Sequence, residues 1–197
     1  DIYMSKNKYI IIGLMLIAGI SSAWAQKVVI GNYVFPKDKA TYYGELEGGK
    51  PHGKGKTTFK SGDTYEGEYV KGKRQGYGVY TFTDGEKYEG DWFQDQQHGF
   101  GVYYFINNNR YEGQWFRDYQ HGKGIMYYYN GDKYEGEWEA DKREGKGTYT
   151  WANGAQYIGE WQNDLKEGKG TLDWANGERY EGEWKAGMKH GEGTYQY

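Results

Sequence analysis

A tyrosine returns every 23 residues. Tyr42, Tyr65, Tyr88, Tyr111, Tyr134, Tyr157 and Tyr180 each open a unit of the same length, with no insertion between them. A fixed period of this size marks stacked structural repeats, each burying itself against its neighbours. With the opening tyrosine as position 1, glycine holds position 3 in every unit, from Gly44 to Gly182. Glycine also holds positions 12 and 14, as in Gly99 and Gly101. Position 5 is Leu46, Tyr69, then Trp92, Trp115, Trp138, Trp161 and Trp184. Position 16 is usually tyrosine, and position 18 is phenylalanine, tyrosine or tryptophan.

Alternation within the unit predicts strands. Positions 1, 3 and 5 point to one face, and the polar positions 2 and 4 to the other. Positions 14, 16 and 18 again share a face. Ser61-Gly62, Asp84-Gly85, Asn107-Asn108, Asn130-Gly131, Asn153-Gly154 and Asn176-Gly177 close the units, and these residues tolerate the positive φ of tight turns. Each unit therefore predicts a β-hairpin with an aromatic-and-glycine face and a charged face. Composition agrees: 33 glycines and 19% aromatics, with few aliphatics, suit a thin extended all-β sheet rather than a thick aliphatic core. A register pairing position 5 with 14, 3 with 16 and 1 with 18 would set each tryptophan beside a glycine. Seven units of two strands, at roughly 4.8 Å per strand, predict a rod on the order of 65 Å long.

The charged face carries position 4 (Glu45, Glu68, Asp91, Gln114, Glu137, Glu160, Glu183), with Lys87, Arg110, Lys133 and Arg179 on the same parity. It reads as a solvated surface whose pairs contribute at most about 1 kcal/mol each. Lys71, Lys73, Arg74, Arg117, Lys142, Arg143, Lys166 and Lys189 are expected in the hairpin loops, along one edge.

Upstream of the repeats, Lys6 and Lys8 precede an apolar run from Tyr9 to Ile20, and Ala23-Trp24-Ala25 ends it. This pattern predicts a signal peptide over residues 1–25, cleaved after Ala25, and export to the periplasm or beyond the cell. The run is shorter than the roughly 20 apolar residues of a spanning helix. Losing Asp1, Lys6 and Lys8 would shift the net charge from −3 to −4. Residues 26–41 read as an N-terminal half-repeat, because Gly31-Asn32-Tyr33-Val34-Phe35 resembles Gly78 to Phe82. Pro36 in its connection would discourage pairing at the sheet edge.

Little here speaks for chemistry. The chain has no cysteine, which excludes disulfides, thiolate zinc sites and a cysteine nucleophile. His52, His98, His121 and His190 all sit at position 11 and read as turn residues. Equivalent histidines of consecutive hairpins should stand about 9–10 Å apart, against about 2 Å from ligand to metal. The carboxylates recur identically in each unit, so none forms a singled-out acid/base pair. Gly-x-Gly lacks a strand-loop-helix setting. The acidic balance disfavours nucleic acid, whose phosphates need a basic surface. No catalytic residue, metal site or cofactor is expected, and the chain is not expected to be an enzyme.

Tyr-x-Gly-x-Trp, then His-Gly-x-Gly, then an aromatic strand and Asn-Gly resembles the MORN repeat, over Tyr42 to Tyr197. Leu46 and Tyr69 depart from it at position 5, Asn108 at the turn glycine, and Gln75, Glu144 and Glu167 at the histidine. The resemblance implies an elongated, twisted single-layer antiparallel sheet of tandem hairpins with a shallow groove. It also implies a scaffold that binds a protein or membrane-associated partner. MORN arrays also accompany catalytic domains, such as lipid kinases, but residues 42–197 are repeat throughout. The expected contacts are the exposed parts of Tyr88, Trp92, Tyr111, Trp115, Tyr134, Trp138, Tyr157 and Trp161. A cell-wall glycan stacked on these rings is an alternative, a phospholipid tether another, and the two sheet ends leave room for pairing between two copies.

Overall fold

The computed structural model describes residues 27–197. The expected signal peptide lies outside the described residues. Among the described residues fifteen antiparallel strands form one sheet in strict chain order, each inner strand bonded to the strands before and after it. They are β1 (Val29–Val34), β2 (Thr41–Glu47), β3 (Lys50–Thr58), β4 (Thr64–Val70), β5 (Lys73–Thr81), β6 (Lys87–Phe93), β7 (Gln96–Tyr104) and β8 (Arg110–Phe116). Then come β9 (Tyr119–Tyr127), β10 (Lys133–Glu139), β11 (Lys142–Thr150), β12 (Gln156–Gln162), β13 (Leu165–Asp173), β14 (Arg179–Lys185) and β15 (Met188–Gln196). The fold is an all-β array of tandem hairpins. β1 adds an edge strand to the first unit, with Gly31 opposite Gly44 and Tyr33 opposite Tyr42.

Two kinds of turn alternate. Inside each unit a two-residue link joins the strands, as at Lys71-Gly72, where φ is 51° and 83°. Positive φ at both residues is the type I′ geometry, whose twist matches that of the flanking strands. Gln94-Asp95, Arg117-Asp118 and Ala140-Asp141 repeat it. Between units a three-residue link follows position 18. Gly85 N–H closes back on Phe82 O at 3.1 Å, with φ of 99°. Glycine suits this left-handed φ, and Asn108 takes the same place at 65° with its N–H 3.0 Å from Phe105 O.

The register differs from the expected one. Position 1 faces 16 and position 3 faces 14, as in Tyr65 with Tyr80 and Gly67 with Gly78. Position 5 faces 10, as in Tyr69 with Arg74, because the pairing slips by two residues in between. The cause is the opening tyrosine. Its ring lies along its own strand and covers both glycines of the 3–14 pair. A Cβ on Gly78 would stand 2.2 Å from the Tyr65 hydroxyl oxygen, and one on Gly67 2.4 Å from Gly78 Cα. The two glycines must therefore face each other. The slip also frees the position 4 carbonyl, which accepts the tyrosine hydroxyl: Tyr65 to Glu68 at 3.0 Å, Tyr88 to Asp91 at 2.8 Å, Tyr111 to Gln114 at 2.9 Å.

The same slip corrects the reading of position 4 as a solvated row. At the bulge, the amide of position 13 turns to the charged face and donates to the position 4 side chain. Lys54 N–H reaches Glu45 Oε2 at 2.9 Å, Phe100 N–H reaches Asp91 Oδ2 at 3.0 Å, and Lys123 N–H reaches Gln114 Oε1 at 2.9 Å. The glycine at position 12 leaves room for this side chain: a Cβ on Gly76 would sit 2.1 Å from Glu68 Oε2. Gln114 makes the bond as well as the acids do, since only an acceptor is needed. Several other charges on this face pair as expected, with Lys133 Nζ 3.3 Å from Glu135 Oε2.

The histidines are also displaced from their expected place. They lie within β3, β7, β9 and β15, at the bulge rather than in a turn. His98 packs between Phe93 and Phe116, at 5.6 and 5.4 Å, and His121 against Phe116 at 5.6 Å. A phenylalanine ring thus stands between His98 and His121. Among the described residues no three His, Cys, Asp or Glu side chains gather as a metal site would require.

Candidate binding groove

The aromatic face is a ladder of rings. Tyrosine at position 1 and tryptophan at position 5 alternate edge to face from Tyr65 to Trp184, with Tyr69 in the tryptophan's place before them. Tyr88 meets Trp92 and Trp115 at 5.2 Å each, and Tyr111 meets Trp115 and Trp138 at 5.3 Å each. Such pairs contribute about 0.5–1.5 kcal/mol each beyond area burial. Each tryptophan also donates from Nε1 to the position 14 carbonyl of the preceding unit, as Trp115 to Gly101 at 3.2 Å.

The tyrosines expected as contacts are corrected by this packing. Tyr88, Tyr111, Tyr134 and Tyr157 are 0% exposed and present no surface to a partner. Trp92, Trp115, Trp138 and Trp161 keep 5% each. The rings sequence reasoning passed over as contacts are those at positions 16 and 18: Phe82, Tyr103, Phe105 and Tyr128 are only partly buried. Their even parity with position 14 was the available signal.

The cations form the second correction. Arg74, Arg143, Lys166 and Lys189 do not line an edge. They sit at position 10, which faces position 5, and so lie over the aromatic face. The Arg74 guanidinium carbon is 4.4 Å from the Trp92 ring centre, 5.5 Å from Tyr80 and 5.6 Å from Tyr65. Arg143 stands 4.5 Å from Trp161, with Tyr134 and Tyr149 each at 5.6 Å. Lys166 lies 4.8 Å from Trp184 and 4.9 Å from Tyr157. Burial holds its ammonium below the usual lysine range, helped by Arg143 and Lys189. These residues form a column of cations stacked on rings, in the geometry of cation–π attraction.

Two kinds of polar clip tie neighbouring units where the sequence supplies both partners. At one end, position 8 of the following unit meets position 10. Arg74 donates from Nε to Asp95 Oδ1 at 3.3 Å and from Nη2 to Asp95 O at 2.7 Å, and Arg143 treats Asp164 the same way at 3.2 and 2.8 Å. At the other end, the tyrosine at position 16 donates to an acid 17 residues earlier. Tyr80 reaches Asp63 at 2.9 Å, Tyr103 reaches Glu86 at 2.5 Å, Tyr149 reaches Asp132 at 2.6 Å and Tyr195 reaches Glu178 at 2.6 Å. Where position 16 is not tyrosine, the partner is not acidic: Thr57 goes with Ala40, Met126 with Asn109, Leu172 with Ala155. Burial opposes the charge on Asp63, yet bonds from Thr83 and Tyr80 outweigh it and hold the carboxyl below its usual range.

These hydroxyls make the array sensitive to alkali. Burial pushes Tyr42 up to about 12, with Glu45 adding to it, and pushes Tyr80 up to about 12, with Asp63 adding to it. Burial drives Tyr65, Tyr88, Tyr111, Tyr134 and Tyr157 up as well. A folded pKa above the unfolded value near 10 gives stability that is complete below about pH 10 and lost as pH rises through the folded value. The urea midpoint should therefore hold to pH 9 and fall steeply between pH 10 and 12. A midpoint flat to pH 11.5 would contradict this.

Near the middle of the face the column of cations is interrupted. Position 10 is Gln97 and Gln120 there, and an open groove of about 800 Å³ lies over them. Phe82, Tyr103, Phe105, Trp115, Tyr128 and Trp138 form its apolar walls. Asp118, Asp141 and Asp164 supply its acidic side, with Arg143 at the end. This arrangement can seat an extended chain with apolar and basic side chains. The MORN-repeat family model matches residues 42–64, 65–87, 88–110, 111–133, 134–156, 157–179 and 180–197. The chain belongs to the MORN-repeat family. The seven matched segments of the MORN array begin at the seven opening tyrosines. No curated protein matches it in sequence. Among solved structures, the array is similar to the SAS-4 (dCPAP) TCP domain of Drosophila melanogaster, solved with a proline-rich motif of Ana2. Identity is 13% and TM-score 0.48, over 84% of this chain and 94% of that one. It is also similar to the TCP10 domain of Danio rerio CPAP, at 12% identity and TM-score 0.32, over 84% and 99%.

Proposed function

We propose that this MORN array is a non-enzymatic platform of the cell envelope, which takes an extended segment of a partner protein in the groove of its aromatic face. The observation that carries the reading is the 800 Å³ groove over Gln97 and Gln120, whose walls include the half-buried rings Phe82, Tyr103, Phe105 and Tyr128. Concave sites with apolar walls and a few placed polar groups are the usual seats of ligands. A scaffold role fits a family of repeats, and the signal-peptide pattern before Gln26 supports the envelope as its place.

The test is peptide selection. A random peptide library is panned against the full chain and against Tyr128→Glu, which puts a charge on the groove wall. Peptides held by the native chain and weakened at least tenfold by Tyr128→Glu support the reading. Selected peptides that bind the variant equally well, or association only with phosphatidylglycerol vesicles or peptidoglycan, overturn it.

A further inference from the structure

We infer that the outer edge of β1 is a seat for one more strand, supplied by a partner protein and carrying an aromatic residue two positions before a glycine. The seat lies at the N-terminal end of the sheet and is separate from the groove. β1 is the second strand of a unit whose first strand is absent among the described residues. Its register shows this: Gly31 faces Gly44 and Tyr33 faces Tyr42, as Gly55 faces Gly67 and Thr57 faces Tyr65 one unit on. Gly31 therefore holds position 14, and Tyr33 position 16. In every complete unit the first strand lies on the far side of these two positions, with position 1 opposite 16 and position 3 opposite 14. Among the described residues no strand lies on that side of β1.

Gly31 identifies the occupant. At the seven later position 14 glycines, from Gly55 to Gly193, an added Cβ would stand 2.2 to 2.5 Å from the hydroxyl oxygen of the opening tyrosine, whose ring covers them. At Gly31 it would meet only the tip of Leu46, with Cδ1 at 3.0 Å. Among the described residues no ring calls for this glycine. Glycine inside a strand weakens it, and often marks a close approach from outside. The preceding residues do not carry the pattern: their glycines are Gly13 and Gly19, with Ile11 and Ile17 two positions earlier. A folded second copy has no such strand to lend, since all seven of its Tyr-x-Gly strands are bonded on both sides.

The edge itself is open to pairing. Natural sheets blunt such edges with charge or proline. Val28 to Phe35 carries no charge, and Pro36 follows the end of the strand at Val34 instead of interrupting it. Val29, Ile30 and Val34 are 47%, 61% and 55% exposed. One departure from the array refines the occupant. Val29 stands at position 12, where every complete unit has glycine. The added strand therefore does not slip there, and its fifth position faces Val29 and is apolar. The occupant is an extended segment of the form aromatic-x-Gly-x-apolar, antiparallel to β1 and held by main-chain hydrogen bonds, as in strand addition.

The probe is a fluorescein-labelled peptide, Lys-Thr-Tyr-Thr-Gly-Thr-Val-Lys, titrated with the full chain by anisotropy. Two twins replace its tyrosine by serine or its glycine by valine. The variant Gly31→Ala puts a methyl group under the incoming ring. It should melt near the native chain, since only the Leu46 tip must give way. The expected result is binding by the native chain, weakened at least tenfold by either twin and by Gly31→Ala, and unchanged by Tyr128→Glu. The inference is overturned if the native chain does not bind the peptide, if either twin binds equally, or if folded Gly31→Ala binds unchanged. Gly31→Ala melting as low as Gly113→Ala also overturns it, because this chain then needs the glycine for itself. Binding abolished by Tyr128→Glu moves the peptide into the groove, which removes the edge seat and leaves the groove reading standing. Self-association in the ultracentrifuge that shuts out the peptide gives the edge to a second copy and overturns the inference.

Discussion

Gly113→Ala should strongly destabilise the centre of the array. Gly113 faces Gly124 across the β8–β9 ladder, under the ring of Tyr111. A Cβ added to Gly113 would meet Gly124 Cα at 2.4 Å, Lys123 O at 2.7 Å and the Tyr111 hydroxyl oxygen at 2.7 Å. The backbone of Gly113 is outside the left-handed region, so the cost is one of contact alone. Two of the three clashes are with backbone, and that backbone is held by hydrogen bonds on both sides. Strands about 4.8 Å apart cannot move away without breaking their ladders. Tyr111 cannot swing clear either, since Trp115 and Trp138 flank it. Overpacking of this kind costs about 3 kcal/mol or more. For a chain of this size that lowers the melting temperature by about 6–12 °C. Gly85→Ala is the control. Its Cβ would meet nothing within 4 Å, and only its φ of 99° is unfavourable, at about 1 kcal/mol. Calorimetry separates the two cases. If Gly113→Ala melts as high as Gly85→Ala, the glycine pair under the ring does not set the register.

The period of 23 residues made the hairpin array legible, because Tyr-x-Gly-x-Trp repeats without insertion. The register was not legible, because alternation fixes which face a residue takes but not how far along the neighbour it lies. The slip at the bulge between Gly113 and Trp115 depends on where the Tyr111 ring lies, which alternation does not state. The position of Arg74 followed the same error. A cation two residues after a hairpin turn reads as a loop residue until position 10 is known to face position 5. The acids at position 4 looked interchangeable with their charged neighbours, yet Gln114 was the clue that they act as acceptors rather than as charges. The inter-repeat clips were written openly. Tyr80 with Asp63 and Tyr149 with Asp132 recur at a spacing of 17, and Met126 with Asn109 and Leu172 with Ala155 lose both partners together. The groove lies where this code lapses, at Gln97, Gln120 and Met126.

Tyr111→Ala should be nearly as damaging as the glycine change, and Tyr111→Phe far less so. The ring is wholly buried and meets Trp115 at 90° and Trp138 at 85°, each at 5.3 Å. Removing it leaves a cavity over the Gly113–Gly124 pair and two tryptophans without their edge contacts. Aromatic-to-alanine changes in such settings cost about 3–5 kcal/mol. Phenylalanine keeps the ring and loses only the hydroxyl, which donates to Gln114 O at 2.9 Å. That carbonyl lies where the register slips, so its loss costs about 1–2 kcal/mol rather than nothing. Melting by calorimetry should therefore rank native, Tyr111→Phe and Tyr111→Ala in descending order, with near-UV circular dichroism reduced only in the last. Binding should not follow this order. Tyr111 has no exposed surface, so Tyr111→Phe should hold selected peptides as tightly as the native chain does, while Tyr128→Glu releases them without a comparable loss of stability. A Tyr111→Phe variant that stays folded but loses its ligand would place the contact surface in the buried ladder and contradict the division drawn between the rings that hold the sheet and the rings that face the groove.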